Sequence, residues 1–450
     1  MSKAWLLSGF TAGILAVTLI YIIGLPAAAD ERVDGSALSK APIFTFLDPL
    51  DAANRADSAG SLALAGTALY GMTTMGGAGG KGTIFRFDTE KNIATVLHSF
   101  AGGMSDGASP GELLTMAGTA LYGMTPDGGE RGKGTIFKFD TEKRLETVLH
   151  SFAGGTNDGA SPYGSLTLVG ATFYGTTSQG GAHGKGAIFK LDPKENVPTI
   201  VYSFAGGTND GAYPFGSLTL SGTTLYGMTN EGGAIPGPNG PGLGTIFKFD
   251  TEKSVVTVLY SFAGPPNDGA SPFYEPLTIV GEVIYGVTYH GGAGGKGTIF
   301  ELDTKKNVEK VLHSFAGGSK DGAFSCGALT RVGTAFYGTT SQGGSGSAGT
   351  IFKFDSRQNF TVLHSFAGGA NDGAYPYGSL TLLGKNLYGL THGGGAGGAG
   401  TIFKFDTDKS RATVLHSFKG GPNDGAYPFL EPLALVKPTL YGVIGGSKQY

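Results

Sequence analysis

One motif recurs at a near-constant period from residue 42 to residue 443, and it governs what this chain can fold into. A unit reads, in order, SLTLVG, LYGMT, a glycine-rich stretch, GTIFKFDTEK, TVLHSF and AGGTNDGASP. Its Tyr-Gly pair recurs at Tyr70, Tyr122, Tyr174, Tyr226, Tyr285, Tyr337, Tyr388 and Tyr441, with spacings of 52, 52, 52, 59, 52, 51 and 53. The Ile-Phe core recurs at Phe85, Phe137, Phe189, Phe247, Phe300, Phe352 and Phe403, and the Ser-Phe ending at Phe100, Phe152, Phe204, Phe262, Phe315, Phe366 and Phe418. Self-similarity on this scale marks a solenoid, propeller or array, whose units bury their apolar faces only against one another.

Each unit holds four short runs of strand character separated by turn chemistry. In the third unit they are A (Ser165 to Val169), B (Thr172 to Thr176), C (Gly186 to Asp192) and D (Thr199 to Phe204). A glycine such as Gly170 sits in the tight A–B turn, where a positive φ is needed. A charged Asp-Thr-Glu-Lys turn joins C to D, as at Asp140 to Lys143. Strand C is apolar on both faces, with Ile136, Phe137 and Phe139 distributed over the alternation. A sheet apolar on both faces needs cover on both sides, and radial packing of antiparallel sheets supplies it. The expected class is therefore all-β, a β-propeller of four-stranded antiparallel blades.

The ends set the blade count. Strands A and B occur eight times, C and D seven. The chain's last pair is Pro432 to Val436 and Thr439 to Val443, and an unpartnered run, Ile43 to Phe46, precedes the first A. Joining them gives seven complete blades and a composite eighth of about three strands, with no open edge. An open seven-bladed arrangement is the alternative. A β-solenoid comes third, since it has no use for complementary half-units.

Composition excludes several classes. Glycine is 81 of 450 residues, about 18 % against an average near ~7 %, as turn-rich all-β chains require. Aromatics at 11 % exclude disorder. A net charge of −3 without a basic patch gives no case for nucleic acid. Residues 1–29 read as a signal peptide or signal anchor. Trp5 to Leu25 is free of charge, long for a cleaved signal and long enough to span a bilayer, and Ala27 to Ala29 offers a cleavage site. Residues 30–41 read as a linker and 42–445 as the propeller. The expected location is extracytoplasmic, with membrane contact only through the N-terminal segment if it is retained. Cys326 is the single cysteine, so no intramolecular disulfide forms.

The run LYGMTTMGGAGGKGTIFRFDTEKNIATVLHSF resembles a kelch blade, but Val or Ile stands where kelch has tryptophan. The GTIFKxD, LHSFxGGxDGxxPxxxL and LYGxTxxGG blocks are similar to bacterial GloVer-type (Gloeo/Verruco) tandem repeats over about nine-tenths of the chain. That resemblance implies export and cell-surface anchoring, and no established activity or ligand.

In a propeller the D-to-A and B-to-C connections share one face. Both are long here, so this face is the expected place for binding. Tyr163, Phe215, Tyr274, Tyr377 and Phe429 precede strand A and are candidates to stack on a ligand at the channel mouth, the alternative being packing between blades. Glu112, Glu275 and Glu431 replace the glycine of other units and are the only enzyme-like feature. A glycosidase would need two of them within ~10 Å. Asp106, Asp158, Asp210, Asp268, Asp321, Asp372 and Asp424 each precede glycine and read as Asp-Gly turns rather than calcium loops. His98, His150, His313, His364 and His416 share one strand-D position, filled by Tyr202 and Tyr260 elsewhere, and read as packed rings with a satisfied polar edge. No metal site, cofactor or catalytic motif is read from the sequence. The expected function is that of an exported, monomeric, non-catalytic binding or scaffold module for a polysaccharide or envelope protein. The alternative is a carbohydrate-active enzyme, and a third reading is a structural spacer.

Overall fold

The computed structural model describes residues 44–443 apart from 48–57, 66–67, 89–90, 92, 111–112, 196, 235–241, 273–275, 356–358, 420–426, 429–432 and 437–438. The described residues form seven four-stranded antiparallel sheets and one three-stranded sheet, arranged as a propeller ring, and contain no helix. The proposed signal segment and linker lie outside the described residues.

Blade 3 shows the plan, with strands Thr167–Val169, Thr172–Thr177, Ala187–Leu191 and Pro198–Ser203 in spatial order. Strand A is shorter than the sequence pattern predicts because Ser165 is engaged across the blade junction. Its N–H donates to the Ser217 hydroxyl at 2.8 Å, and its own hydroxyl accepts from the Leu113 N–H at 3.0 Å. The C–D ladder carries a bulge at the same place in every complete blade, between Ile136 and Phe137 in blade 2 and between Ile188 and Phe189 in blade 3. Such bulges sharpen the local twist.

Strand C is buried from both sides, as its composition requires. Ile136 packs with Phe173 and Phe189 of blade 3, while Phe137 and Phe139 pack with Ile84 and Phe100 of blade 1. The Ser-Phe ring ending each strand D is fully buried, and in blades 1 to 6 it meets the next blade's strand C edge-on. Phe100 lies 5.3 Å from Phe137 and Phe152 lies 5.7 Å from Phe189, centroid to centroid. Each buried Phe is worth about 1.5–3 kcal/mol, and each ring pair adds about 0.5–1.5 kcal/mol. The glycine of the Tyr-Gly pair has its own cause. A β-carbon at Gly175 would lie 2.5 Å from the ring of Phe189, so the glycine makes room for that Phe.

A second set of contacts ties the inner strands. The hydroxyls of Thr115, Thr167, Thr278, Thr330 and Thr381 donate to the carbonyls of Leu166, Leu218, Leu329, Leu380 and Leu433 at 2.6–2.9 Å, each one blade further on. The last of these joins blade 7 to the composite sheet. On its other side that sheet packs Tyr441 against Leu69, Phe85 and Phe87 of blade 1, with rings of Phe87 and Tyr441 5.5 Å apart. The ring is therefore closed, seven four-stranded blades completed by the three-stranded composite sheet, and the solenoid is set aside.

The composite sheet has the order Phe44–Leu47, Thr439–Val443, Ala434–Val436. Phe44 to Leu47 pairs with Leu440 to Val443 in parallel, whereas strand C pairs antiparallel with B in every complete blade. The N-terminal strand thus runs in the direction of a strand D and docks directly on B. Its end accordingly faces the side where blade 1 begins, as every strand D does.

Candidate functional site

The two long connections do lie on one face, but they are not irregular. In each of six junctions a Gly-Ala pair from one D-to-A loop forms a two-residue antiparallel ladder with the start of the next blade's B-to-C loop, as Gly211 and Ala212 do with Gly232 and Glu231. Beneath the ladders, buried threonine hydroxyls pair at 2.7–2.9 Å, for example Thr125 with Thr135 and Thr391 with Thr401.

The conserved-register aspartates hold this layer. Asp158 accepts from the backbone N–H of Ala153 at 2.7 Å and of Gly159 at 2.8 Å, and its carboxylate lies 3.0 Å from Nε2 of His150. Asp106, Asp321 and Asp372 repeat this with His98, His313 and His364, and Asp268 does so with the Tyr260 hydroxyl at 2.8 Å. Burial raises the pKa of the Asp158 carboxyl. The hydrogen bonds from His150, Ala153 and Gly159 outweigh burial and hold it below its ordinary value. The histidine rings stand edge-on to the Ser-Phe rings, as His150 does to Phe152 at 4.9 Å. These residues form turns and packed rings, as the sequence suggests. Asp424 lies outside the described residues.

Next to the six Gly-Ala ladders stand residues with positive φ that are not glycine, Ser109, Ser161, Tyr213, Ser271, Phe324 and Tyr375, and Tyr427 holds the same place in its unit, with φ from 47° to 58° in all seven. The backbone at these positions is pinned by the preceding blade, the Tyr375 N–H donating to Ala348 O at 2.7 Å and the Tyr427 N–H to Ala399 O at 2.7 Å. For a bulky side chain this conformation is an outlier, and such strain concentrates at functional positions. The backbone is common to all units, so what varies is the side chain presented. Blades 5 to 7 present three aromatics in succession.

Those aromatics belong to a larger cluster. Tyr289 lies 5.1 Å from Phe324, Tyr377 lies 5.7 Å from His392, and His392 lies 5.3 Å from Tyr427. Tyr375 and Tyr427 are exposed by 43 % and 48 %. Burial lowers the pKa of His392, against the opposing effect of the Pro428 and Tyr427 backbone, so the ring is neutral near pH 7. Burial likewise raises the Tyr289 and Tyr377 phenols, both of which sense Cys326.

Of the five aromatics singled out in the sequence, Tyr163 and Phe215 meet at 5.6 Å across the blade 3–4 junction. Tyr377 belongs to the separate cluster on blades 5 to 7. Tyr274 and Phe429 lie outside the described residues, as do Glu112, Glu275 and Glu431. The equivalent Gly164 and Gly327 abut the next blade, where a β-carbon would fall 2.8 Å from Gly216 O and 2.7 Å from Gly378 O. The sequence reading missed Tyr289, Phe324, Tyr375, His392 and Tyr427. It also missed Glu146 and Glu309, whose carboxyls burial pushes up to about 7 and about 8.

Fold and face together define a closed, repeat-built β-propeller with an ordered loop face bearing aromatics on one side of the ring. The chain belongs to the Gloeobacter/Verrucomicrobia repeat family, whose model matches residues 37–237 and 237–450. A search of curated proteins returned no match. Among solved structures it is similar to a prolyl endopeptidase (TM-score 0.49, 12% identity, 81% of this chain and 50% of that one). It is also similar to a puromycin-hydrolyzing peptidase of Mycobacterium tuberculosis (0.48, 12%, 84% and 56%) and to an oligogalacturonate lyase in complex with manganese (0.45, 11%, 81% and 91%). The chain spans about half the length of the peptidases. These likenesses carry no reading of activity.

Proposed function

We propose that this protein is a non-catalytic, extracytoplasmic binding module that engages a polysaccharide through the aromatic cluster on blades 5 to 7 of its loop face. The observation behind this reading is the run Phe324, Tyr375 and Tyr427, three aromatics on positive-φ backbone whose N–H groups are each held by the preceding blade, beside Tyr289, Tyr377 and His392. Aromatic faces on a rigid support bind with little conformational cost, because the rings are ordered before the ligand arrives. Sugar rings offer apolar C–H faces that match them. Six aromatic rings gathered on one face suit recognition of a sugar surface. The export segment and the family resemblance support an extracytoplasmic location.

The test is a glycan array and a pull-down on insoluble polysaccharides, with a Tyr375→Ala/Tyr427→Ala variant beside the native chain. Retention that falls at least tenfold in the variant, with an unchanged melting temperature, is the expected result. An identified turnover that disappears when Glu112, Glu275 and Glu431 are changed to alanine would instead establish the carbohydrate-active enzyme.

A further inference from the structure

Position two of strand D points at the neighbouring blade, and its occupant differs from unit to unit. By ladder register the equivalent residues are Ala94, Glu146, Pro198, Val256, Glu309, Phe360 and Ala412. In blades 2, 4, 5 and 6 it lies against the His or Tyr of the blade before it. Phe360, for example, stacks on His313 at 3.6 Å and 6°. Two units place a carboxylate there. Glu309 meets Tyr260 and Asp268, a set without an imidazole. Glu146 meets His98 and Asp106, so a nitrogen and two carboxylates converge.

At this blade 1–2 junction one atom from each of His98, Asp106 and Glu146 lies within 4.8 Å of the other two, and all three residues are half-buried. Glu146 Oε1 is shielded from solvent and has no hydrogen-bond partner. A buried acceptor without a partner calls for an explanation such as an ion. The contact between His98 Nε2 and Asp106 is 3.3–3.4 Å, longer than the 3.0–3.2 Å of the His150, His313 and His364 pairs. The Asp106 carboxylate is oriented from behind by the N–H groups of Ala101 and Gly107, each at 2.7 Å, which is the support that metal-binding carboxylates require.

We propose that His98, Asp106 and Glu146 bind a divalent first-row transition ion, zinc being the working probe, which clasps the outer strands of blades 1 and 2. One imidazole with two carboxylates suits zinc or its neighbours, with water as the fourth ligand, and disfavours calcium and magnesium. The ion takes the place of the proton that Nε2 shares with Asp106, and the Glu146 side chain swings in to complete the set. Two ligands come from blade 1 and its exit loop and one from blade 2, so binding adds a tie between the outer strands of this junction. Blade 1 is also the blade against which the composite sheet closes.

The experiment is calorimetric titration of the full, tag-free, chelator-treated chain with zinc, alongside Glu146→Ala and Glu146→Gln. Alanine already fills this position in blade 7, as Ala412, so the variant folds. The expected result is one zinc per chain, at least tenfold weaker binding in both variants, and a zinc-dependent rise in melting temperature that both variants lose. Absence of stoichiometric binding, or binding that Glu146→Ala leaves unchanged, overturns the proposal. Binding without the melting shift would keep the site but overturn the clasp.

Discussion

Asp158 illustrates how much one carboxylate does here, since two backbone N–H groups and an imidazole all turn to it. Asp158→Ala strands those donors, and a buried donor left unpaired costs about 1–3 kcal/mol. Urea unfolding should show that loss as a lower midpoint with an unchanged slope. Because the folded pKa is depressed, the contribution is present above the ordinary carboxylate value and fades as pH falls through the folded one. Glu309 has the opposite sign. It is raised to about 8 by burial, helped by Asp268 and Glu301 and opposed by the Tyr260 hydrogen bond. Its contribution is complete below about pH 4.5 and is lost as pH rises through 8. Glu309→Gln should therefore abolish a fall in melting temperature between pH 5 and pH 9, read by thermal unfolding across that range. Neither role was fully legible in the sequence. The Asp-Gly turn could be read from its dipeptide, but its imidazole partner eight residues earlier is a product of the fold. The carboxylates of Glu146 and Glu309 look like surface residues in an amphipathic strand until the neighbouring blade is placed over them.

At the scale of the strand, the alternation of strand C and the Tyr-Gly of strand B are two halves of one contact. The glycine exists because Phe189 lies across it, and Gly175→Ala forces a β-carbon to 2.5 Å from that ring. Overpacking of this kind costs about 1–3 kcal/mol, while Phe152→Ala leaves a cavity costing about 3–5 kcal/mol. Chemical denaturation of both variants distinguishes the two magnitudes. Strand positions and the four-strand order were readable from periodicity, because a two-faced apolar strand admits few surroundings. Strand A was over-long in that reading, since Ser165 looks like strand but bonds to Ser217 of the next blade. The order of the loop face was also hidden, because two-residue ladders such as Gly211–Ala212 leave no hydrophobic period. The positive φ of Tyr375 and Tyr427 has no residue-type signature at all.

The whole molecule rests on closure. Seven units can repeat indefinitely, so what makes a ring of them is the composite sheet, bridged to blade 7 through Thr381 and Leu433 and to blade 1 through Phe87 and Tyr441. The complementary half-units at the two ends made this legible in advance. The parallel direction of Phe44–Leu47 was not, because pairing direction follows from where the chain must go next. Removing residues 1–47 should expose the edge of Thr439–Val443 and promote association between copies, measurable by light scattering.

A cysteine cross-link tests closure most directly. Phe46 and Gly442 are register partners, and Cα separations of about 4.4–6.8 Å admit a disulfide. In a Cys326→Ser background, Phe46→Cys with Gly442→Cys should oxidise to an intramolecular disulfide in the monomer, seen as a reducible mobility shift with the mass of one chain. Thiols that stay free, or that pair only between molecules, would contradict a ring closed by its own two ends.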